Sequence, residues 1–442
     1  MPRHAAFLAL RHPSGKPLAA VDEVCARRGL DERDAALTRA LVGIEIRRRA
    51  TLRAVTAGFA HHKPKAELAL LLRLGVAQLL YMDRVPPHAA VSETVRATAD
   101  FLGLSKGKVV NGTLRSVQRA VRQGRSGDPT CDLVDRDLYF DGPVFRDPSQ
   151  HPHLWAEDAL SIPSALHKRW TNRYGADGAT ALARLALEEA PLSLRVRPSD
   201  SRSAVREELA NLEVAAREGG APDILLAPAD STGAVLRSAA FLEGRVTVQG
   251  EHASRAAALA GDLAGLDVLD LCAAPGGKAA ALADLRPRSL ICADIGARRL
   301  ARVFGAFERL GHAAPHAVAM DGMGALGADV RFDVVFIDAP CSNTGVLAQR
   351  PAARWRHGPR AIVELTALQG RLLREAAGHV RPGGALIHST CSLEPEENQQ
   401  LVRGFLAEHR DWRLEGEVNS IPRSLEDGGP VDGGYAARLV QS

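Results

Sequence analysis

The chain has 442 residues, 46% hydrophobic and 24% charged, with 56 Lys/Arg against 52 Asp/Glu and a formal net charge of +4. That length exceeds one ordinary hydrophobic core, so two or three domains are expected. No apolar run is long enough to cross a bilayer and the N-terminus carries no signal-like apolar stretch, which argues against a membrane or secreted protein and for a cytoplasmic one.

The charge is unevenly spread. Met1 to Arg125 holds 22 Lys/Arg against 10 Asp/Glu, or +12, and the remainder holds 34 against 42, or −8. A basic front joined to an acidic remainder points to a polyanionic partner held mainly by the front. Arg47-Arg48-Arg49, Lys63, Lys65, Lys106 and Lys108 also suit an ordinary solvated surface. Through about Arg122 the chain is rich in Ala, Leu and Arg, and Leu68, Leu71, Leu72, Gly75 and Leu79 fall at three- and four-residue steps. Residues 1–125 therefore read as an all-α domain, and the stretch from Gly124 to Pro129 as a linker. Residues 126–264 read as a small α+β domain, with strands at Leu192–Val196 and Val246–Val248. From 265 to 442 strands and helices alternate, the pattern of a mostly parallel, doubly wound α/β sheet, closed by a late strand at Tyr435–Val440. Aromatic residues make up only 4% of the chain, so extended base-stacking platforms are not expected.

Within the last part, the apolar run Val268-Leu269 leads into Asp270-Leu271-Cys272-Ala273-Ala274-Pro275-Gly276-Gly277-Lys278 and a helical stretch to about Leu285. Such a strand–glycine turn–helix unit lets backbone N–H groups approach a ligand closely. The next strand, Leu290–Ala293, ends in Asp294, placed to accept from a ribose hydroxyl, and Asp321 follows a third, His316–Ala319. Successive strands ending in a carboxylate or a glycine turn suit a nucleoside, and S-adenosylmethionine is the one expected. Two further strands deliver thiols: Val334–Ile337 runs into Asp338-Ala339-Pro340-Cys341, and Ala385–Ile387 into Ser389-Thr390-Cys391-Ser392. In an open parallel sheet both would face the ligand crevice. The six cysteines include no C-x-x-C pair, so reduced thiols and no bound metal are expected, with Cys25, Cys131, Cys272 and Cys292 reading as small core residues.

The run DLCAAPGGK, then Asp294, Asp321, DAPCSNTG and HSTCS-LEPEEN resembles the motif set of RNA 5-methylcytosine methyltransferases. The segment from Arg3 to about Arg122 is similar to NusB-like RNA-binding domains, notably at Leu74–Tyr81, Pro86–Val95 and Val110–Arg115. The pairing in this order resembles the bacterial Sun/Fmu-type methyltransferases of small-subunit ribosomal RNA. The resemblance implies a Rossmann-like methyltransferase domain behind an all-α NusB-like one. It also implies small-subunit ribosomal RNA as the partner, and a monomer that binds no membrane is expected. It assigns Cys391 as nucleophile and Cys341 to product release, an order that spacing alone leaves open. Asp338 and Lys278 would complete the catalytic group, Asp338 by accepting from the cytosine amino group or simply by capping its turn. Cofactor contacts would come from Cys272, Ala273, Ala274, Pro275, Gly276, Gly277, Lys278, Asp294, Arg299, Asp321 and Asp338, with Arg299 equally readable as a solvated helix residue. Pro395 and Asn398 would position the Cys391 loop. Alternatives are a transfer RNA methyltransferase of the same chemistry and a non-catalytic NusB-like RNA-binding factor. Departures are Ala279-Ala280 where the family commonly has Thr, Gly250-Glu251-His252 where it has Asp and small residues, and His388 in place of an aromatic. His388 fits either an imidazolium that lowers the Cys391 pKa or a neutral stacked ring.

Overall fold

The computed structural model describes residues 1–321, 326–327, 329–425 and 429–441. They divide at Leu187/Glu188 into two units, where the sequence suggested three parts bounded at 125 and 264. Among the described residues no helix is long and apolar enough to cross a membrane.

The first unit opens with helices Pro2–Leu10, Pro17–Arg27, Glu32–Phe59, Ala66–Tyr81, Pro87–Leu102 and Leu104–Ala120. Their apolar stripes meet in a core that includes Leu52, Val55, Leu72, Val76, Val91, Val110 and Leu114. The same core takes in Leu133, Leu138, Phe140, Phe145 and Ala159, which is why the chain beyond Arg125 stays with this unit. The stretch expected as a linker is a hydrogen-bonded turn: Ser126 N–H donates to Asp132 Oδ1 at 2.8 Å and Thr130 N–H to Asp128 Oδ1 at 2.8 Å. Short polar side chains that bond nearby backbone amides fold a segment the same composition would leave flexible.

The second unit begins with a small four-stranded antiparallel sheet ordered Arg217–Glu218, Ile224–Ala227, Leu192–Val196, Val246–Val248. It is tied to the larger sheet's helical layer through Asp284, on which Arg195 (2.7 Å), Arg197 (2.8 Å) and His312 (3.2 Å) converge. Burial works to neutralise Asp284, but His312, Arg195 and Arg197 outweigh it and bring its pKa down to about 2. A carboxyl depressed on folding stabilises above its unfolded pKa and loses that contribution as pH falls toward the folded value. Resistance of the chain to urea should therefore weaken as pH falls from about 4 to about 2, and Asp284→Asn should lower stability at neutral pH while flattening that acid limb.

Seven strands form the main sheet: β1 (Asp267–Leu271), β2 (Ser289–Asp294), β3 (His316–Ala319), β4 (Phe332–Asp338), β5 (Val380–Thr390), β6 (Trp412–Ser420) and β7 (Gly434–Gln441). The order is β6-β7-β5-β4-β1-β2-β3, all parallel from β5 to β3, with β7 antiparallel to both β5 and β6. This is the expected Rossmann-like α/β architecture. Val334, Phe336 and Ile387 pack into one layer and Val335, Ile337 and Leu386 into the other, so strands covered on both faces read as continuous apolar runs. Asp338 pairs with Ser389, and Ile337 with Leu271, which brings the carboxyl ends of β4, β5 and β1 to one edge.

Candidate active site

The turn after β1 departs from ordinary backbone twice. Cys272 has φ 62° and Gly276 φ 110°, and a Cβ at Gly276 would lie 3.0 Å from Val303 Cα. Only glycine gives that combination of positive φ and close approach without strain. The turn, which contains a cis Ala274–Pro275 bond, leads into the helix Gly277–Asp284. Ala274 N–H donates to Asp294 Oδ2 at 3.2 Å, tying the turn to the end of β2. Arg299 approaches Asp294 Oδ1 at 2.9 Å as an ion pair, yet no hydrogen bond reaches that buried oxygen among the described residues. Asp270 is fully buried, and neither of its carboxyl oxygens has a hydrogen-bond partner there. Burial, helped by Asp338 and Asp294 and opposed by Lys278, pushes its pKa well above the usual carboxylate range. Unmatched buried acceptors are costly unless something supplies donors. A nucleoside with ribose hydroxyls and a cationic end fits this edge. Asp321 lies exposed beyond β3, outside these bonds.

Lys278 Nζ donates to Asp338 Oδ1 at 2.7 Å, joining the glycine turn to the end of β4. Burial alone would discharge this ammonium, but Asp338 and the negative forms of Cys391 and Cys341 raise its pKa above the ordinary lysine value. The two cysteine loops meet: Cys391 N–H donates to Cys341 Sγ at 3.3 Å. Burial pushes both thiols up, but their charged neighbours differ. Lys278 and Arg350 favour the Cys391 thiolate, while Asp338 and Asp432 oppose it. Cys341 is pushed well above the usual range by burial, then by Cys391 and Glu397. Cys272 is only half-buried, in the turn and not in a core cluster as expected, and its thiol is pushed up to about 12, mainly by burial.

The loops carrying the thiols are held by bonds that the motifs only hinted at. Gly345 N–H donates to the Cys391 carbonyl at 3.0 Å, and a Cβ on Gly345 would lie 2.4 Å from Gly433 O, so no other residue fits that approach. Asn343 Nδ2 donates to the Cys341 carbonyl at 2.7 Å, and Arg350 donates to Asn343 Oδ1 at 2.9 Å. Asn398 accepts from the Thr390 hydroxyl at 2.6 Å and donates to the Ser392 carbonyl at 2.8 Å, the positioning expected of it. His388 is wholly buried, its Nε2 lies 3.0 Å from the Glu397 carbonyl, and burial lowers its pKa. The imidazolium alternative is thus overturned: the ring is neutral and donates to a backbone carbonyl. Arg350, Asn343, Gln369 and Glu397 had no role in the sequence reading. Glu397 sits in the LEPEEN run, but nothing in a charged stretch signals a buried carboxylate.

Residues 258–427 match the family described as 16S rRNA methyltransferase RsmB/F, and residues 2–119 match the NusB family. Ribosomal RNA small subunit methyltransferase B of Shewanella oneidensis is 34% identical over 84% of this chain and 82% of its own length. The probable ribosomal RNA small subunit methyltransferase B of Synechocystis is 31% identical over 96% of this chain and 94% of its own. Among solved structures, that of PH0851 is 22% identical with a TM-score of 0.75, covering 99% of this chain and 98% of its own, a likeness of fold.

Proposed function

The chain belongs to the RsmB/F family of 16S rRNA methyltransferases, and from that premise we propose that it methylates C5 of a cytosine in small-subunit ribosomal RNA through a covalent Cys391–C6 bond. S-adenosylmethionine is its methyl donor and supplies, when bound, an electrophilic methyl group on a sulfonium. The Cys272–Gly277 turn, Asp294, Arg299 and Asp321 are the residues assigned to hold it, with Lys278 and Asp338 between donor and base. The unmatched oxygens of Asp270 and Asp294 support that placement.

One observation carries the covalent reading: the Cys391 backbone amide donates to the Cys341 sulfur, so the two cysteines lie side by side, next to the ion pair of buried Lys278 with half-buried Asp338. Cytosine C5 is too weak a nucleophile to take the methyl group unaided. Addition of the Cys391 thiolate to C6 forms the S–C6 bond and moves the ring electrons toward C5, which then attacks the methyl carbon. Lys278 and Arg350 favour the thiolate before attack. Asp338 accepts from the cytosine amino group and repels the O4 of uracil. Release needs loss of the C5 proton as the S–C6 bond breaks, returning the electron pair to Cys391. Cys341 suits this step because part of what holds its thiol neutral is the charge on Cys391. That charge vanishes once Cys391 is a thioether, so Cys341 ionises more readily when a base is needed.

The first unit, with its basic excess and NusB match, is assigned to the RNA, in the cytoplasm. Bisulfite mapping of cellular RNA with and without the protein tests the reading. One or a few small-subunit cytosines should lose protection in its absence. Loss in transfer RNA instead would overturn the substrate. No loss anywhere, with S-adenosylmethionine still bound, would favour the non-catalytic factor.

A further inference from the structure

Glu397 is 0% exposed and stands between the two cysteine-bearing loops. Its Oε1 accepts from Ser342 N–H at 2.9 Å and from Gln369 Nε2 at 3.0 Å. Its Oε2 accepts from the hydroxyls of both Ser342 and Ser392, which lie 2.9 Å from each other. Ser342 follows Cys341 and Ser392 follows Cys391, so a single carboxylate holds the residue after each thiol. Gln369 Nε2 also donates to the Pro340 carbonyl at 2.9 Å, fixing the residue before Cys341, while the Glu397 carbonyl lies 3.0 Å from His388 Nε2 on β5.

We propose that Glu397 is a positioning residue that locks the two cysteine turns into one unit and so aligns Cys391 and Cys341 for their separate steps. Donors on both loops satisfy the carboxylate, so it fixes the spacing of the sulfurs in two directions at once. A buried carboxylate bound by neutral donors still acts on its surroundings, and the amide it binds is the one that follows Cys341, whose ionisation it disfavours. The other groups facing Cys341 are Cys391, with Lys278 in electrostatic reach and the neutral His388 ring bonded to Glu397. The consequence is a division of labour: one thiol is free to ionise before attack, and its neighbour is kept protonated until the adduct forms. This rests on the reading of Cys391 as nucleophile.

The test uses the full chain. In a Cys391→Ser background, iodoacetamide alkylation of Cys341, followed by peptide mass spectrometry across pH, is compared with and without Glu397→Gln. At a pH below the Cys341 pKa, the carboxamide should speed labelling roughly tenfold, the gain in thiolate for one unit of pKa. In the chain with Cys391 intact, Glu397→Gln should lower kcat for methylation about a hundredfold through lost alignment, with KM for S-adenosylmethionine unchanged. Unchanged labelling together with wild-type kcat overturns the proposal. Should Glu397→Gln fail to fold, Ser342→Ala/Ser392→Ala retains the charge and removes two donors. That variant should lower kcat and leave Cys341 labelling unmoved, and wild-type kcat in it overturns the proposal. The labelling needs no RNA, so its failure is distinct from failure of the covalent reading, which would show as methylation independent of Cys391.

Discussion

Cys391→Ala is expected to abolish methyl transfer, by on the order of 10⁴-fold or more, and to leave no RNA covalently attached to the protein. No other thiol can substitute. Without the Cys391 charge Cys341 is still held neutral by burial and by Glu397, and Cys272 is pushed up to about 12. Cys341→Ala should behave differently: attack and methylation proceed once, but the C5 proton leaves slowly, so a protein–RNA adduct that survives denaturing electrophoresis accumulates. Its turnover should fall by roughly 10²–10⁴-fold, the range for loss of a positioned acid/base group. Adducts in Cys391→Ala but not in Cys341→Ala would reverse the two roles. Because burial raises the Cys391 pKa, the thiolate is the minor form at neutral pH, and kcat/KM for the wild-type chain should climb as pH rises above 7.

Asp338→Asn should damage stability and activity together while making Cys391 more reactive. Lys278 is buried and its partner is removed, leaving an ammonium without its 2.7 Å carboxylate. Because Asp338 is only half-buried, stranding the buried ammonium costs about 2 kcal/mol, and for a unit of this size each kcal/mol lowers Tm by roughly 2–4 °C, which calorimetry would register. Methylation should fall because an amide no longer presents only acceptors to the cytosine amino group. Asp338 also raises the Cys391 pKa, so its neutralisation lowers that pKa. Iodoacetamide should then label Cys391 faster at neutral pH than in the wild type. Slower methylation with faster labelling separates recognition of the base from activation of the sulfur. Undiminished methylation of cytosine would remove Asp338 from the site.

The catalytic half was legible because strands buried on both faces write themselves as apolar runs, and the residues just past them are the chemistry-bearing ones. Val334–Ile337 and Ala385–Ile387 became β4 and β5, and their neighbouring register at Asp338 and Ser389 brought Cys341 beside Cys391. The middle of the chain was less legible. Leu133, Phe140 and Phe145 are ordinary apolar residues that only a packed core assigns to one unit or another. The turn at Ser126–Asp132 has the composition of a flexible linker and is held by its own side chains.

Local pattern by itself determined the strands, the glycine turn and the two thiol motifs, because periodicity and backbone strain are properties of neighbouring residues. Tertiary structure alone decided that His388 is neutral, that Asp270 lacks donors, and that Glu397 ties both sulfur loops together. Charge and protonation depend on burial and on partners from distant parts of the chain, and no run of letters carries that distance.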